Sequence, residues 1–112
     1  MTDLPSQSEV CREFGSAFCP LDEDDCVGIA LITLTRTPLN ALRHNAENGT
    51  SGWYIWGGEY SDDPAFFQPL HAHHLVGHAP ALVPYLALAP GWRVLLAPGH
   101  KDIWYDPTLL AA

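Results

Sequence analysis

The residues best suited to metal chemistry form a run of histidines in the second half of the chain. His71, His73, His74 and His78 lie close together in the sequence, and imidazole nitrogen is a common ligand of zinc. A helix here would place His74 and His78 on one face. The sequence contains no H-E-x-x-H motif, and its cysteines are not paired as C-x₂-C, so no zinc motif is complete. We therefore interpret the run as an exposed polar linker and predict no bound metal or cofactor.

The residue pattern gives little support for catalysis by a nucleophile or by paired carboxylates. The cysteines, Cys11, Cys19 and Cys26, are odd in number and widely spaced, which favours small, partly buried side chains over a set of disulfides. No G-x-S-x-G motif is present. Carboxylates that adjoin in the sequence point apart on a turn, whereas the pair that cleaves a glycoside faces across a cleft. We predict that the protein is not an enzyme.

The charge of the chain argues against several classes of partner. Among 112 residues, 13 are acidic and 5 are Lys or Arg, for a formal net charge of −8. Such a surface repels nucleic-acid phosphates and anionic membranes, and it attracts a basic partner. The first residues form no secretory signal, and the longest apolar run, 26–34, is too short to span a bilayer. These features predict a cytoplasmic protein that binds neither nucleic acid nor membrane.

Hydrophobic runs between turn residues predict a small sheet. The aromatic run at residues 52–58 predicts a central strand, with Trp53 and Ile55 on one face and Tyr54 and Trp56 on the other. The last two hydrophobic runs, 92–97 and 101–105, flank Pro98-Gly99 and predict a hairpin. The predicted strands are 26–34, 52–58, 92–97 and 101–105.

Three short helices and one long connection complete the predicted fold. Ser8 has the residue type of an N-cap, and Asp63 before Pro64 has the form of an N-cap followed by proline at the first helical position. The predicted helices are 9–18, 64–68 and 79–86, and residues 40–51 are interpreted as a polar connection that ends in a turn at 47–51. The sum is an α+β domain, a small antiparallel sheet of about four strands with two or three short helices packed on one side.

Two acidic turns give the chain its most distinctive surface. Asp22–Asp25 precedes the first predicted strand, and Glu59–Asp63 follows the aromatic strand. We expect both turns at one end of the sheet, near Trp56 and Tyr60. Aromatic rings flanked by carboxylates suit contact with Arg and Lys of a protein partner. Trp53 is predicted to be core. The predicted partner-binding residues are Trp56, Glu59, Tyr60, Asp62, Asp63, Asp22, Glu23, Asp24 and Asp25.

Several of these segments together resemble a known family. Residues 51–60 read SGWYIWGGEY and are followed by Asp62-Asp63-Pro64, residues 79–91 read APALVPYLALAPG, and residues 25–34 contain the first predicted strand. This order is similar to that of the Imm33-like immunity protein domain, also called DUF2185, over residues 25–105. The resemblance implies an α+β domain that is encoded beside toxins in bacterial polymorphic toxin systems and neutralises its toxin by binding it.

Two hypotheses of different classes follow. In the first, residues 25–112 form an Imm33-like domain behind an N-terminal extension, residues 1–24, with one short helix. The domain binds and neutralises a cognate toxin, and the acidic charge favours a basic one such as a nuclease. The second hypothesis is a small ligand- or metal-binding accessory protein that uses His71, His73, His74 and His78. The sequence leaves a homodimer open.

Overall fold

The computed structural model describes residues 6–46 and 50–110, and these form one six-stranded sheet. The strands are β1 Cys26–Ile29, β2 Leu39–Arg43, β3 Thr50–Gly57, β4 Gln68–His71, β5 Trp92–Ala97 and β6 His100–Tyr105. Their order across the sheet is β4-β1-β3-β2-β5-β6. β1 pairs with β3 in parallel, and the other neighbouring strands are antiparallel. The predicted α+β class and the hairpin are confirmed. The prediction of an antiparallel sheet of about four strands is wrong, because the sheet is mixed and contains β2 and β4 as well.

β2 lies in the stretch that was interpreted as a polar connection. Its polar side chains find partners inside the fold: Asn40 donates to the carbonyls of Pro38 (3.2 Å) and Gly58 (3.3 Å), and Arg43 is only 7% exposed. A strand with buried polar side chains does not show the usual alternation of apolar and polar residues. Of the turn predicted at 47–51, residues 47–49 lie outside the described residues, and the remainder belongs to β3.

The chain forms a turn at Asp63–Pro64, where a helix was predicted. The Asp63 carboxylate accepts a hydrogen bond from the Ala65 amide (2.9 Å), and its carbonyl accepts one from the Phe66 amide (2.9 Å). The following residues then form β4 at the edge of the sheet. Proline has no amide hydrogen to donate to a neighbouring strand. An edge strand tolerates Pro69 because one side of the strand has no neighbour in the sheet.

The apolar run 26–34 divides into two elements. β1 ends at Ile29, and Leu31–Thr33 forms a 3₁₀ turn. The buried Thr33 hydroxyl donates to the Ala30 carbonyl (2.7 Å) and accepts from the Gly57 amide (2.8 Å), so it joins this turn to the end of β3. Ile32, predicted to lie in the first strand, lies instead in this turn and is 82% exposed.

Three helical segments pack on one face of the sheet: α1 Gln7–Phe14, α2 Leu75–His78 and the 3₁₀ segment Pro80–Tyr85. A further 3₁₀ segment, Pro107–Leu110, contacts the other face through Leu109. The N-cap of α1 is Ser6 and not Ser8: the Ser6 hydroxyl accepts from the Glu9 amide (3.2 Å), and the Glu9 carboxylate accepts from the Ser6 amide (3.1 Å). This reciprocal pair is a capping box. α1 ends before Gly15, which has a positive φ of 81° and so suits glycine.

Trp53 occupies the centre of the core between these helices and the sheet. Its side chain is fully buried, and its indole N–H donates to the Leu86 carbonyl (3.0 Å), which satisfies the one polar atom of the ring. The buried Cys11 thiol donates to the Ala87 carbonyl (3.4 Å), and burial raises the pKa of Cys11. The core interpretation of Trp53 and of Cys11 is confirmed. Buried around Trp53 are Val10, Val27, Ile29, Ala41, Ile55, Leu75, Leu82, Leu88 and Val94.

Candidate functional site

The opposite face of the sheet carries a cluster of aromatic rings. Tyr54 and Trp56 project from β3 onto this face, as predicted, and meet the segment 58–67, here called the aromatic loop. Ring centroids lie 5.1 Å apart for Tyr54 and Phe67, 5.4 Å for Trp56 and Tyr60, and 4.9 Å for Phe66 and Phe67. The interplanar angles of these pairs are 69° to 72°, the edge-to-face geometry that aromatic quadrupoles favour. The cluster therefore holds the loop against the sheet.

A groove of about 560 Å³ opens beside this cluster. Its charged residue is Arg93 of β5, whose guanidinium donates to the Asp106 carboxylate (3.2 Å) and lies 5.4 Å from the Trp104 ring centroid. The His44 ring lies 3.0 Å, through Nδ1, from the Leu109 carbonyl. The remaining lining is apolar or aromatic, which is typical of a binding surface with a few polar groups that set orientation. The groove is lined by Leu42, His44, Tyr54, Trp56, Tyr60, Phe67, Arg93 and Leu109.

The end of β3 fixes where the aromatic loop begins. A Cβ on Gly57 would lie 2.1 Å from the Thr33 carbonyl oxygen, so any other residue would clash with backbone. Gly58 has a φ of 70°, a left-handed conformation that side chains other than glycine disfavour. The Gly58 amide donates to the Pro38 carbonyl (2.8 Å). These constraints direct the chain back across the sheet, where Tyr60 packs on Trp56.

The sequence from residue 6 to residue 106 matches the family model of the Imm33-like domain. The chain belongs to the Imm33-like family. The resemblance predicted from the aromatic strand and the segments around it is thereby confirmed. No curated protein and no solved structure matches the chain. Among the described residues, no helix has the length and apolar character that crossing a membrane requires.

The Imm33-like domain brings one of its two predicted acidic segments to the aromatic cluster. Glu59, Tyr60, Asp62 and Asp63 all lie exposed on the aromatic loop. Tyr60 is 58% exposed, whereas Trp56 is only 6% exposed beneath it. Trp56 therefore supports the Tyr60 ring and presents little surface of its own.

The expectation that both acidic turns share one end of the sheet is wrong. Asp22–Asp25 precedes β1, and Glu59–Asp63 follows β3. Because β1 and β3 run parallel, with Cys26 opposite Thr50 and Ile29 opposite Ile55, the start of β1 and the end of β3 lie at opposite ends of the sheet. In the predicted antiparallel sheet, these two strands side by side would bring the two segments together.

Sequence reasoning also missed a residue at the end of the sheet where the aromatic loop lies. The 3₁₀ turn that carries Ile32 lines a depression together with Arg36, Ser61, Asp63 and Phe66. Ile32 is an exposed aliphatic side chain beside these acidic and aromatic residues. The available signal was the length of the apolar run 26–34, which exceeds that of an average strand.

The acidic turn at the other end of the sheet contacts the histidine run. The Ala72 amide donates to the Asp25 carbonyl (2.7 Å), and the His73 ring Nδ1 lies 2.9 Å from the Glu23 carbonyl. His71, His73 and His74 come together, and one ligand atom from each lies within 4.8 Å of the others. His78, which the sequence placed with them, is not part of this group.

Proposed function

We propose that this Imm33-like domain is an immunity protein that binds a cognate bacterial toxin in the cytoplasm of the producing cell and neutralises it. The contact surface is the aromatic loop with the groove beside it. The observation that carries this proposal is the exposed Tyr60 ring, which rests on the buried Trp56 and is flanked by carboxylates. Family membership supports the general role of an immunity protein.

A rigid, exposed tyrosine is a favourable centre for a protein interface. Tyrosine and tryptophan are enriched among the residues that contribute most to binding. Tyr60 loses little conformational freedom on binding, because its ring already contacts Trp56, Phe66 and Phe67, with centroids 5.4 to 6.1 Å apart. Side chains that are held in place before binding reduce the entropic cost of association.

The carboxylates beside Tyr60 are available to a basic partner. Glu59, Asp62 and Asp63 are exposed, and none of them forms an ion pair with another residue in the described part of the chain. With a formal net charge of −8, the domain attracts a basic toxin and accelerates encounter. We assign Asp22, Glu23, Asp24 and Asp25 to this long-range attraction, since they lie at the far end of the sheet.

The proposal is tested by capture followed by a growth assay. The tagged domain is used to capture proteins from its own cells at low and moderate salt, and the captured protein is then expressed alone and together with the domain. We expect one stoichiometric partner that stops growth alone and is harmless in the presence of the domain. A captured protein that has no effect on growth would contradict the immunity role.

The contact surface is tested by charge reversal with a matched control. Glu59→Lys with Asp62→Lys alters the carboxylates beside Tyr60, and Glu13→Lys with Asp24→Lys makes the same change in net charge at exposed positions away from the aromatic loop and the groove. We expect only the first pair to abolish capture and growth protection, because the second pair changes long-range attraction alone. Equal binding by both double variants would remove the aromatic loop from the interface.

A further inference from the structure

The fold brings three histidines together at the edge of the sheet. His71 is the last residue of β4, and a 3₁₀ turn, Ala72–His74, follows at once. Ring centroids lie 4.0 Å apart for His73 and His74, 5.8 Å for His71 and His73, and 6.5 Å for His71 and His74. All three side chains are exposed. Their ring nitrogens are therefore accessible to an ion from solvent.

A backbone carbonyl orients the middle histidine. His73 Nδ1 lies 2.9 Å from the Glu23 carbonyl oxygen, and a carbonyl can only accept a hydrogen bond. Nδ1 therefore carries the proton, and in the neutral ring the lone pair is on Nε2. Metal-binding histidines typically donate their second ring nitrogen to a carbonyl or carboxylate in this way, which fixes the tautomer and the ring orientation.

We propose that His71, His73 and His74 bind one divalent transition-metal ion of the class that prefers imidazole, such as Zn²⁺, through one ring nitrogen each. Ions such as Mg²⁺ and Ca²⁺ prefer oxygen ligands and are disfavoured by this donor set. Nitrogen ligands lie about 2.0–2.1 Å from zinc, so the rings must move closer together than in the unliganded arrangement. The exposed rings of His71 and His74 can rotate toward Nε2 of His73, whose own ring is held by the Glu23 carbonyl. Any remaining coordination position is open to water.

The acidic turn beside the site favours a cation. Glu23 supplies the carbonyl that orients His73, and the carboxylates of Asp22, Glu23 and Asp24 are exposed on the same turn. Their negative charge raises the local concentration of cations. The site is at the opposite end of the sheet from Tyr60, so it is independent of the proposed toxin contact.

Zinc titration of the untagged protein by calorimetry tests the proposal. We expect one Zn²⁺ per chain, and an affinity at least about tenfold lower for His71→Asn with His74→Asn, since two of three ligands are lost. The control is His78→Asn with His100→Asn, which removes two exposed histidines outside the group and is expected to bind zinc as tightly as the unaltered protein. Absence of saturable binding, or equal affinities for the two double variants, would overturn the proposal.

Nuclear magnetic resonance of the histidine rings identifies the ligands directly. The chain has six histidines, so three serve as internal controls. We expect Zn²⁺ to shift the ring nitrogens of His71, His73 and His74, with His73 bound through Nε2 and its Nδ1–H retained. Uniform shifts of all six rings, or coordination through Nδ1 of His73, would contradict the site built by this fold.

Discussion

The ring of Tyr54 lies directly against the backbone of Gly28. The two residues are partners across the parallel pair β1 and β3, and a Cβ built on Gly28 would lie 2.7 Å from Tyr54 Cδ1. The same Cβ would lie 3.6 Å from Phe67 Cβ. Because Tyr54 and Phe67 both line the groove, the absence of a side chain at Gly28 determines how deeply these rings sit.

Gly28→Ala is expected to displace Tyr54 and to destabilise the domain. Overpacking of a well-filled site costs about 1–3 kcal/mol, and urea denaturation measures this loss in the free energy of unfolding. The control is Gly77→Ala, because a Cβ at Gly77 meets nothing within 4 Å and alanine is the better helix former. A Gly28→Ala variant as stable as the Gly77→Ala control would show that Tyr54 is not held against Gly28 as described.

Substitutions at Tyr60 and Trp56 separate binding from stability. Tyr60 is 58% exposed and Trp56 6% exposed. We expect Tyr60→Ala to weaken toxin binding by about 2 kcal/mol or more, as at an interface hot spot, with a smaller loss of folding stability than Trp56→Ala. Trp56→Ala is expected to cost about 3–5 kcal/mol of folding stability through the cavity it leaves.

Calorimetry with the captured toxin and urea denaturation of each variant measure the two effects. The control for Tyr60→Ala is Tyr105→Ala, which removes another exposed tyrosine, on β6, away from the aromatic loop. Equal losses of affinity in these two tyrosine variants would show that Tyr60 is not at the centre of the interface.

The parts of the fold with clear residue periodicity could be predicted from the sequence. The alternation in β3 correctly assigned Trp53 and Ile55 to one face and Tyr54 and Trp56 to the other, since side chains of a strand alternate in direction. The last hairpin was recognisable from Pro98-Gly99 between two apolar runs. These signals are local, and each is decided by a few neighbouring residues.

The parts that failed depend on contacts distant in sequence. β2 was missed because Arg43 looks like a surface residue, and only backbone carbonyls from elsewhere in the chain make its burial favourable. The orientation of the acidic turns was missed because it depends on whether β1 runs parallel to β3. The link between Glu23 and His73 joins residues 50 positions apart, which no periodicity in the sequence predicts.

Arg43 joins separate segments of the chain inside the fold. Its guanidinium donates to the carbonyls of Cys19 (2.8 Å) and Leu88 (2.8 Å) through one nitrogen and to that of Ser51 (3.1 Å) through Nε. It also lies 5.7 Å from the Trp53 ring centroid. Burial lowers the pKa of Arg43. The carbonyls depend on this side chain, because buried acceptors without donors are unfavourable.

Arg43→Met is expected to destabilise the domain by about 2–4 kcal/mol, since it keeps the length of the side chain but leaves buried carbonyls without donors. Arg43→Lys is expected to lose less, because an ammonium group can still donate to some of them. Urea denaturation measures both, and Arg12→Met at an exposed position of α1 is the control, with an expected change within about 0.5 kcal/mol. A stability of Arg43→Met equal to that of Arg12→Met would contradict the structural role.

The carboxylate of Asp106 links the C-terminal turn to the groove. Its Oδ1 accepts hydrogen bonds from the Thr108 hydroxyl (2.5 Å) and the Thr108 amide (3.0 Å), and its Oδ2 accepts one from Arg93 (3.2 Å). The hydrogen bond from the Thr108 hydroxyl, with a smaller contribution from Arg93, lowers the pKa of Asp106 below its ordinary value of 3.8. Through Arg93, which lines the groove with Leu109, this carboxylate helps to set the groove's shape.

The lowered pKa of Asp106 predicts how the domain responds to acid. A carboxyl group with a lower pKa in the folded state stabilises the fold when it is ionised, so this contribution is complete above its unfolded-state pKa and is lost as the pH falls through the lower folded value. We therefore expect the melting temperature of the unaltered protein, followed from about pH 6 to about pH 2, to fall more steeply at the acidic end than that of Asp106→Asn. Thr108→Val is expected to remove more of this difference than Arg93→Gln, because the Thr108 hydroxyl is the larger cause of the shift. Parallel melting curves for Asp106→Asn and the unaltered protein across this range would show that the carboxylate contributes nothing to acid sensitivity.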